Sequence, residues 1–295
     1  MGAARIGYVW ALASAVSFGL MSWLVHAAHE LPPLWIALAR GLVGLAILTP
    51  LVGRRLAAVF APNSGFLWLR AVAGALSILC YYWNLQRTSV GTAKALQDLA
   101  PVIVAAFSVL VLRENLRGRT GLGIALAIAG ALAIGLRGAT PPSGVVVAVG
   151  IVGAFAAATA FLSLREAASE HSPEVIVWML CASSCLTSAV LIASGAIIEQ
   201  PMPWGALGVR EVALFAGVAL TGLCGQLWMT RAYQHLSASV ASALGLTALL
   251  WGVLFEIAFS RARPSVGDWC GYALIVAGAV ALRRASARGS PDDEV

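Results

Sequence analysis

Charge is scarce in this sequence. Only 11% of its 295 residues are Asp, Glu, Lys or Arg, while 60% are hydrophobic, and the mean hydropathy is +0.88. A chain of this length folded in water has no interior large enough for that much apolar surface, so a soluble domain is excluded and the bilayer is the solvent. Cysteine is sparse and odd in number. Cys80, Cys181, Cys185, Cys224 and Cys270 all fall in or at the edge of apolar stretches, which rules out a disulfide framework. Cys181 and Cys185 sit one helical turn apart without His or carboxylate company, and His26, His29 and His235 sit at turns, so no metal site is predicted. Nucleophile, zinc and phosphate-binding motifs are also missing, which argues against an enzyme and against a cofactor. The first apolar stretch is a full span without a cleavage site and is read as a membrane helix rather than a leader.

What is present is a series of apolar runs. A span needs ~20 mainly apolar residues to cross the hydrocarbon layer. Ten are predicted, near 6–28, 34–52, 67–86, 90–111, 120–136, 144–164, 173–193, 212–233, 238–259 and 268–282, the fifth and tenth being short. The predicted fold is thus an all-α integral membrane protein with short loops and a disordered polar tail over 285–295. The formal charge of +6 does not indicate nucleic acid, because the basic residues lie at span ends rather than on one face. With the amino terminus inside, twelve of them fall on the cytoplasmic side: Arg5, Arg54, Arg55, Arg70, Arg113, Arg117, Arg119, Arg165, Arg231, Arg283, Arg284 and Arg288. Six fall outside (Arg87, Lys94, Arg137, Arg210, Arg261 and Arg263), and Arg40 lies within a span. The positive-inside rule then puts both termini in the cytoplasm.

The chain also repeats itself. Residues 74–133 match 222–281 without a gap at an offset of 148, with Gly74/Gly222, Ala93/Ala241, Phe107/Phe255, Arg113/Arg261 and Gly123/Gly271 among the identities. Ala129-Gly130-Ala131 returns as Ala277-Gly278-Ala279. Two units follow, 1–139 and 140–284. Each holds an odd number of spans, so the second enters the membrane upside down. Inverted repeats of this kind typically hold a small molecule between the halves.

Polar residues inside spans are the candidates for that contact, since each charge costs roughly 2.5–3.5 kcal/mol to insert. Lys94, Gln97 and Asp98 share one helical face, and Pro101 follows a turn later. Lacking an N–H, Pro101 leaves the carbonyl of Gln97 unpaired and bends the helix. Arg40 and Asp98 both lie on the order of 10 Å below the outer surface, so Asp98 can be held by Arg40 or Lys94. Two readings stand: a structural ion pair, or a pair whose spare positive group meets a substrate carboxylate. Tyr82, with Ile78 on its face, is a cavity candidate beside an interfacial Tyr81 and Trp83. Its repeat mate is Thr230, and that of Ile78 is Gln226. Ser242, the mate of Lys94, joins the list. Phe18 and Phe155 occupy matching places in the first and sixth spans and serve either as core or as apolar walls. Glu256 snorkels, pairs with Arg261, or couples protons. Arg113 and Glu114 read as surface residues, and Gly123, Gly130, Gly271 and Gly278 as close-packing positions.

Several of these stretches resemble a known family. Tyr81-Tyr82-Trp83-Asn84-Leu85 through Ala93, Pro101 and Arg113-Glu114-Asn115-Leu116 to Ala129-Gly130-Ala131 is similar to the EamA repeat of the drug/metabolite transporter superfamily. Ser17-Phe18-Gly19, Leu31-Pro32-Pro33 with Arg40, Arg231-Ala232-Tyr233 and Ile275-Val276-Ala277-Gly278 resemble its opening and closing helices. The resemblance spans nearly the whole chain. It implies a ten-helix secondary transporter of a bacterial inner membrane, most like the exporters of aromatic and other neutral amino acids. Such a carrier would act by alternating access, with a small molecule and the lipid bilayer as its partners and a monomer as its working form. Leu249 in place of Pro101, Ala262 in place of Glu114, and the polar Lys94, Gln97 and Asp98 depart from the family pattern. Carriage or uptake of another metabolite, such as a nucleoside-like compound, and a channel are the competing readings.

Overall fold

The computed structural model describes residues 3–60, 64–88, 90–110, 118–135, 143–195, 202, 204–260 and 266–286. Arg113, Glu114, Arg117, Arg137, Arg261, Ala262, Arg263 and the tail from 287 lie outside these residues. Twelve α-helices follow in order: α1 (Ala3–Ala27), α2 (Pro33–Val52), α3 (Gly65–Leu85), α4 (Val90–Gln97), α5 (Leu99–Leu110) and α6 (Arg119–Gly135), then α7 (Gly144–Glu170), α8 (Pro173–Ser194), α9 (Val209–Tyr233), α10 (Ala238–Gly245), α11 (Thr247–Ser260) and α12 (Val266–Ser286). Among the described residues there is no strand. Because α12 continues to Ser286, it overruns the start expected for the tail at 285.

Local chemistry sets the helix ends. Pro33 and Pro173 open α2 and α8 at the first turn, where a missing N–H costs nothing. The hydroxyls of Ser143 and Ser237 accept from the N–H groups of Val146 and Val240, capping α7 and α10. Gly195 closes α8 at φ +61°, a backbone conformation open to glycine.

Among the described residues, seven helical stretches are long and apolar enough to cross a membrane: α1, α2, α3, α7, α8, α9, and residues 240–259 across α10 and α11. Shorter apolar stretches lie at Gly121–Gly130 and Trp269–Gly278. The burial pattern is that of a bilayer protein. Large apolar side chains such as Val9, Leu51, Leu186 and Phe155 face outward, while Arg40, Arg70, Asn84, Lys94, Asp98 and Gln226 are buried.

The main helix contacts run between α6 and α12, α3 and α7, α1 and α9, and α2 and α8. Exchanging each helix for its partner 148 or so residues along leaves this set unchanged. The α6–α12 seam is backbone on backbone. A Cβ on Gly130 would strike the carbonyl of Gly271, and one on Gly278 would strike that of Gly123. At one end of the bundle, Gln86 donates to the carbonyl of Leu31, Arg210 to that of Ala27, and the His26 ring meets that of Leu85. At the other end Arg231 pairs with Glu174 at 3.3 Å, Gln234 donates to the carbonyl of Ala168, and Gly7 packs on His235 and Leu236.

Two helices are interrupted at equivalent places. The break between α4 and α5 falls at Asp98, three residues ahead of Pro101, where the proline withholds a donor. The break between α10 and α11 falls at Leu246, the residue 148 further on, although Leu249 replaces the proline there. In that copy the chain tightens instead. Leu246 and Leu249 donate three residues back, to Ala243 and Leu246, and the Thr247 hydroxyl donates to the carbonyl of Leu244.

Candidate functional site

Both breaks face one internal cavity of about 140 Å³, close in size to a cavity that admits a benzene-sized molecule. From the first break come Lys94, Gln97, Asp98 and Pro101, and from the second Ala241, Ser242, Gly245 and Ala248. The first helix contributes Phe18, Met21 and Ser22, and α7 contributes Ala157, Ala160 and Phe161. From α3 come Arg70, Ser77, Ile78 and Tyr81, and from α9 Gln226, Met229 and Tyr233.

The lining is chemically uneven. At the α4 end, Lys94 pairs with Asp98, both side chains being nearly buried, and the second carboxylate oxygen of Asp98 has no partner. Gln97 donates to the Ser77 hydroxyl at 2.8 Å, and the hydroxyls of Ser22 and Tyr81 meet at 2.9 Å. At the opposite end lies Arg70. Its Nη2 donates to Oε1 of Gln226 at 2.7 Å, its Nη1 rests over Gly74, and its Nε has no partner. Tyr233 stands nearby, its ring 6.0 Å from that of Phe161. Between the two ends the wall is apolar, built by Phe18, Ile78, Met229 and the alanines of α7.

Of the residues singled out from sequence, Phe18, Ile78, Lys94, Gln97, Asp98, Pro101, Gln226 and Ser242 share this cavity. Others do not reach it. Tyr82 is fully buried with its hydroxyl on Sδ of Met21 at 3.2 Å; the neighbouring Tyr81, one helical step of rotation away, takes the cavity position. Thr230 is fully buried off the cavity and donates its hydroxyl back to the carbonyl of Gln226 at 2.8 Å. Phe155 is 58% exposed on the outer face of α7, because Gly150 and Gly153 on the inner face pack against α3 and α4; Phe161 supplies the aromatic wall instead. Arg40 does not hold Asp98. Its guanidinium fills the space left by Gly222, on the side of Tyr82. Glu256 is half-buried, within electrostatic reach of His26, and lies off the cavity.

Arg70 is the lining residue that the sequence did not single out. Six positions into α3, it reads as a cytoplasmic flank, yet it is 2% exposed. The available signal was Gly74, one turn on, which clears room for a guanidinium. Cys181 and Cys185 behave as packing residues under Gly41 and Gly44. Among the described residues no cluster of His, Cys, Asp or Glu could hold a metal ion.

The EamA-like transporter family matches residues 5–136 and again 143–284. The chain belongs to this family. It is therefore a multi-pass membrane transporter and not an enzyme. This EamA-like chain is 25% identical to a pseudopaline exporter of Pseudomonas aeruginosa, over 95% of its own length and 96% of the relative's. It is 23% identical to an uncharacterized transporter of Helicobacter pylori, over 70% of this chain and 69% of that one. Similarity extends to mouse solute carrier family 35 member G1, at 24% identity over 88% and 73% of the two lengths. A solved crystal structure superposes with a TM-score of 0.74 at 20% identity, covering 97% of this chain and 99% of its own; that likeness concerns the fold.

Proposed function

We propose that this chain is a secondary transporter that exports amino acids, aromatic and other neutral ones, across the cytoplasmic membrane by alternating access. The observation that carries the reading is the cavity between the two helix breaks, where a Lys94–Asp98 pair and Arg70 bracket an apolar wall containing Phe18, Ile78 and Phe161. A molecule with a carboxylate, an amine and an apolar side chain complements that lining. Ten spans in two inverted halves, 1–139 and 140–284, with both termini cytoplasmic, give the cavity two halves that rock about it. The α4–α5 and α10–α11 pairs each count as one broken span in this arrangement, and α6 and α12 complete it. Support for export of a small metabolite comes from the relative named as a pseudopaline exporter, which matches over nearly the full length. That same name favours one second reading, export of a different amphiphilic metabolite.

The test is exchange in liposomes holding purified full-length protein, preloaded with unlabelled amino acids and given labelled phenylalanine, methionine or threonine. Saturable exchange, weakened at least tenfold in affinity by Lys94→Ala, is expected. Folded protein that exchanges no member of a broad amino-acid panel would move the substrate to another metabolite.

A further inference from the structure

The buried charges do not balance. Among the described residues, the buried side chains of basic or acidic type are Arg40, Arg70, Lys94 and Asp98, three basic against one acidic. Uncompensated charge at membrane depth is costly, so an excess of this kind calls for a counter-charge. Lys94 has one in Asp98. Arg40 does not line the cavity, and is enclosed by Gly222 and Tyr82. Arg70 lines the cavity and has no carboxylate partner among the described residues, only the neutral amide oxygen of Gln226.

Its surroundings are those of a prepared anion site. Gly74 lets Nη1 lie flat on α3, since a Cβ there would collide with the guanidinium. Gln226 holds Nη2 from the opposite half of the chain. Nε, on the same edge of the guanidinium as Nη2, is buried and unpartnered. A planar fork with one free donor beside a neutral acceptor fits a carboxylate, which takes two parallel N–H bonds where the amide takes one.

We propose that Arg70 is the anchor for the carboxylate of the transported molecule, held there by Gly74 and Gln226; this rests on the transport reading above for the molecule's passage, but not for its binding. The Lys94–Asp98 pair lies too far along to serve the same carboxylate. The guanidinium lies beside Gly74, seven residues or about 10 Å along α3 from Tyr81, which stands at the Asp98 end.

The experiment is ligand-induced thermal stabilisation of the purified full-length protein, with titration of five probes: phenylalanine, phenylalaninamide, 3-phenylpropionate, 3-phenylpropionamide and phenethylamine. Wild-type protein is expected to bind each acid at least tenfold more tightly than its amide. Arg70→Gln should erase that preference by weakening the acids while leaving the amides unchanged, a pattern that a merely structural role would not give. Arg70→Lys, which keeps the charge and loses the fork, should retain part of the preference and serves where Arg70→Gln does not fold. Acids that bind no better than amides to wild-type protein, no binding by either acid, or a preference that survives Arg70→Gln would each overturn the anchor. Acid preference that depends on Arg70, found in protein that exchanges no amino acid in liposomes, would keep the anchor and sink the amino-acid transport reading. Exchange without acid preference would do the reverse.

Discussion

At the scale of single residues, the Lys94–Asp98 pair tests how this cavity is balanced. Removing one partner of a buried pair leaves the other uncompensated and typically costs about 3–5 kcal/mol. Asp98→Asn and Lys94→Met are each expected to lower the thermal unfolding midpoint in detergent well below that of the double variant, which leaves no lone charge. A double variant no better than the worse single change would mean that the two groups are not coupled. The face shared by Lys94, Gln97 and Asp98 was legible in the sequence, because helical spacing of three and four fixes it before any neighbour is known. The choice between Tyr81 and Tyr82 was not. Ile78 is three residues from one and four from the other, and only the packing of α1 on α3, through Ser22 and Met21, decides which turns inward. Arg70 was hidden for a related reason: a basic residue near a span end satisfies the positive-inside rule as readily as it fills a site.

At the scale of elements, the paired interruptions at Asp98 and Leu246 separate proline from the break itself. If Leu246 can interrupt its helix without proline, Pro101 reinforces a bend that the packing around α4 and α5 already requires. Pro101→Ala is therefore expected to keep the bend, with spin-label distances across 94–106 changed by less than about 2 Å, well short of the one-turn pitch of 5.4 Å. A straightened, lengthened helix would show that the proline alone makes the break. The sequence displayed a cause for the first interruption and none for the second, since i→i+3 bonds at Leu246 and Leu249 depend on neighbours that no local pattern records. Phe155 failed for the opposite reason. Matching positions in α1 and α7 do not guarantee matching rotation, and the small inner face of α7 turns that ring outward.

At the scale of the whole molecule, the prediction concerns sidedness. In a cysteine-free background, Glu30→Cys and Arg210→Cys, whose side chains are mostly and partly exposed at one end of the bundle, should react with an impermeant maleimide added to intact cells. Glu170→Cys and His235→Cys, at the other end, should react only after the cells are opened. Labelling of all four from one side would refute the inverted arrangement. The repeat itself was visible from an ungapped offset, whereas the pairing of helices across the two copies was not, because it depends on which small residues meet. One feature of the finished molecule is lopsided. Among the described residues, all four buried side chains of basic or acidic type, Arg40, Arg70, Lys94 and Asp98, belong to the first copy, and the mates of three of them are Val218, Ser242 and Leu246. If Arg70 holds the cargo as proposed, the grip belongs to one half, and the other half meets it there with the neutral amide of Gln226. A frame of two matching halves would then carry its passenger in a single fixed seat, the same end leading on every trip.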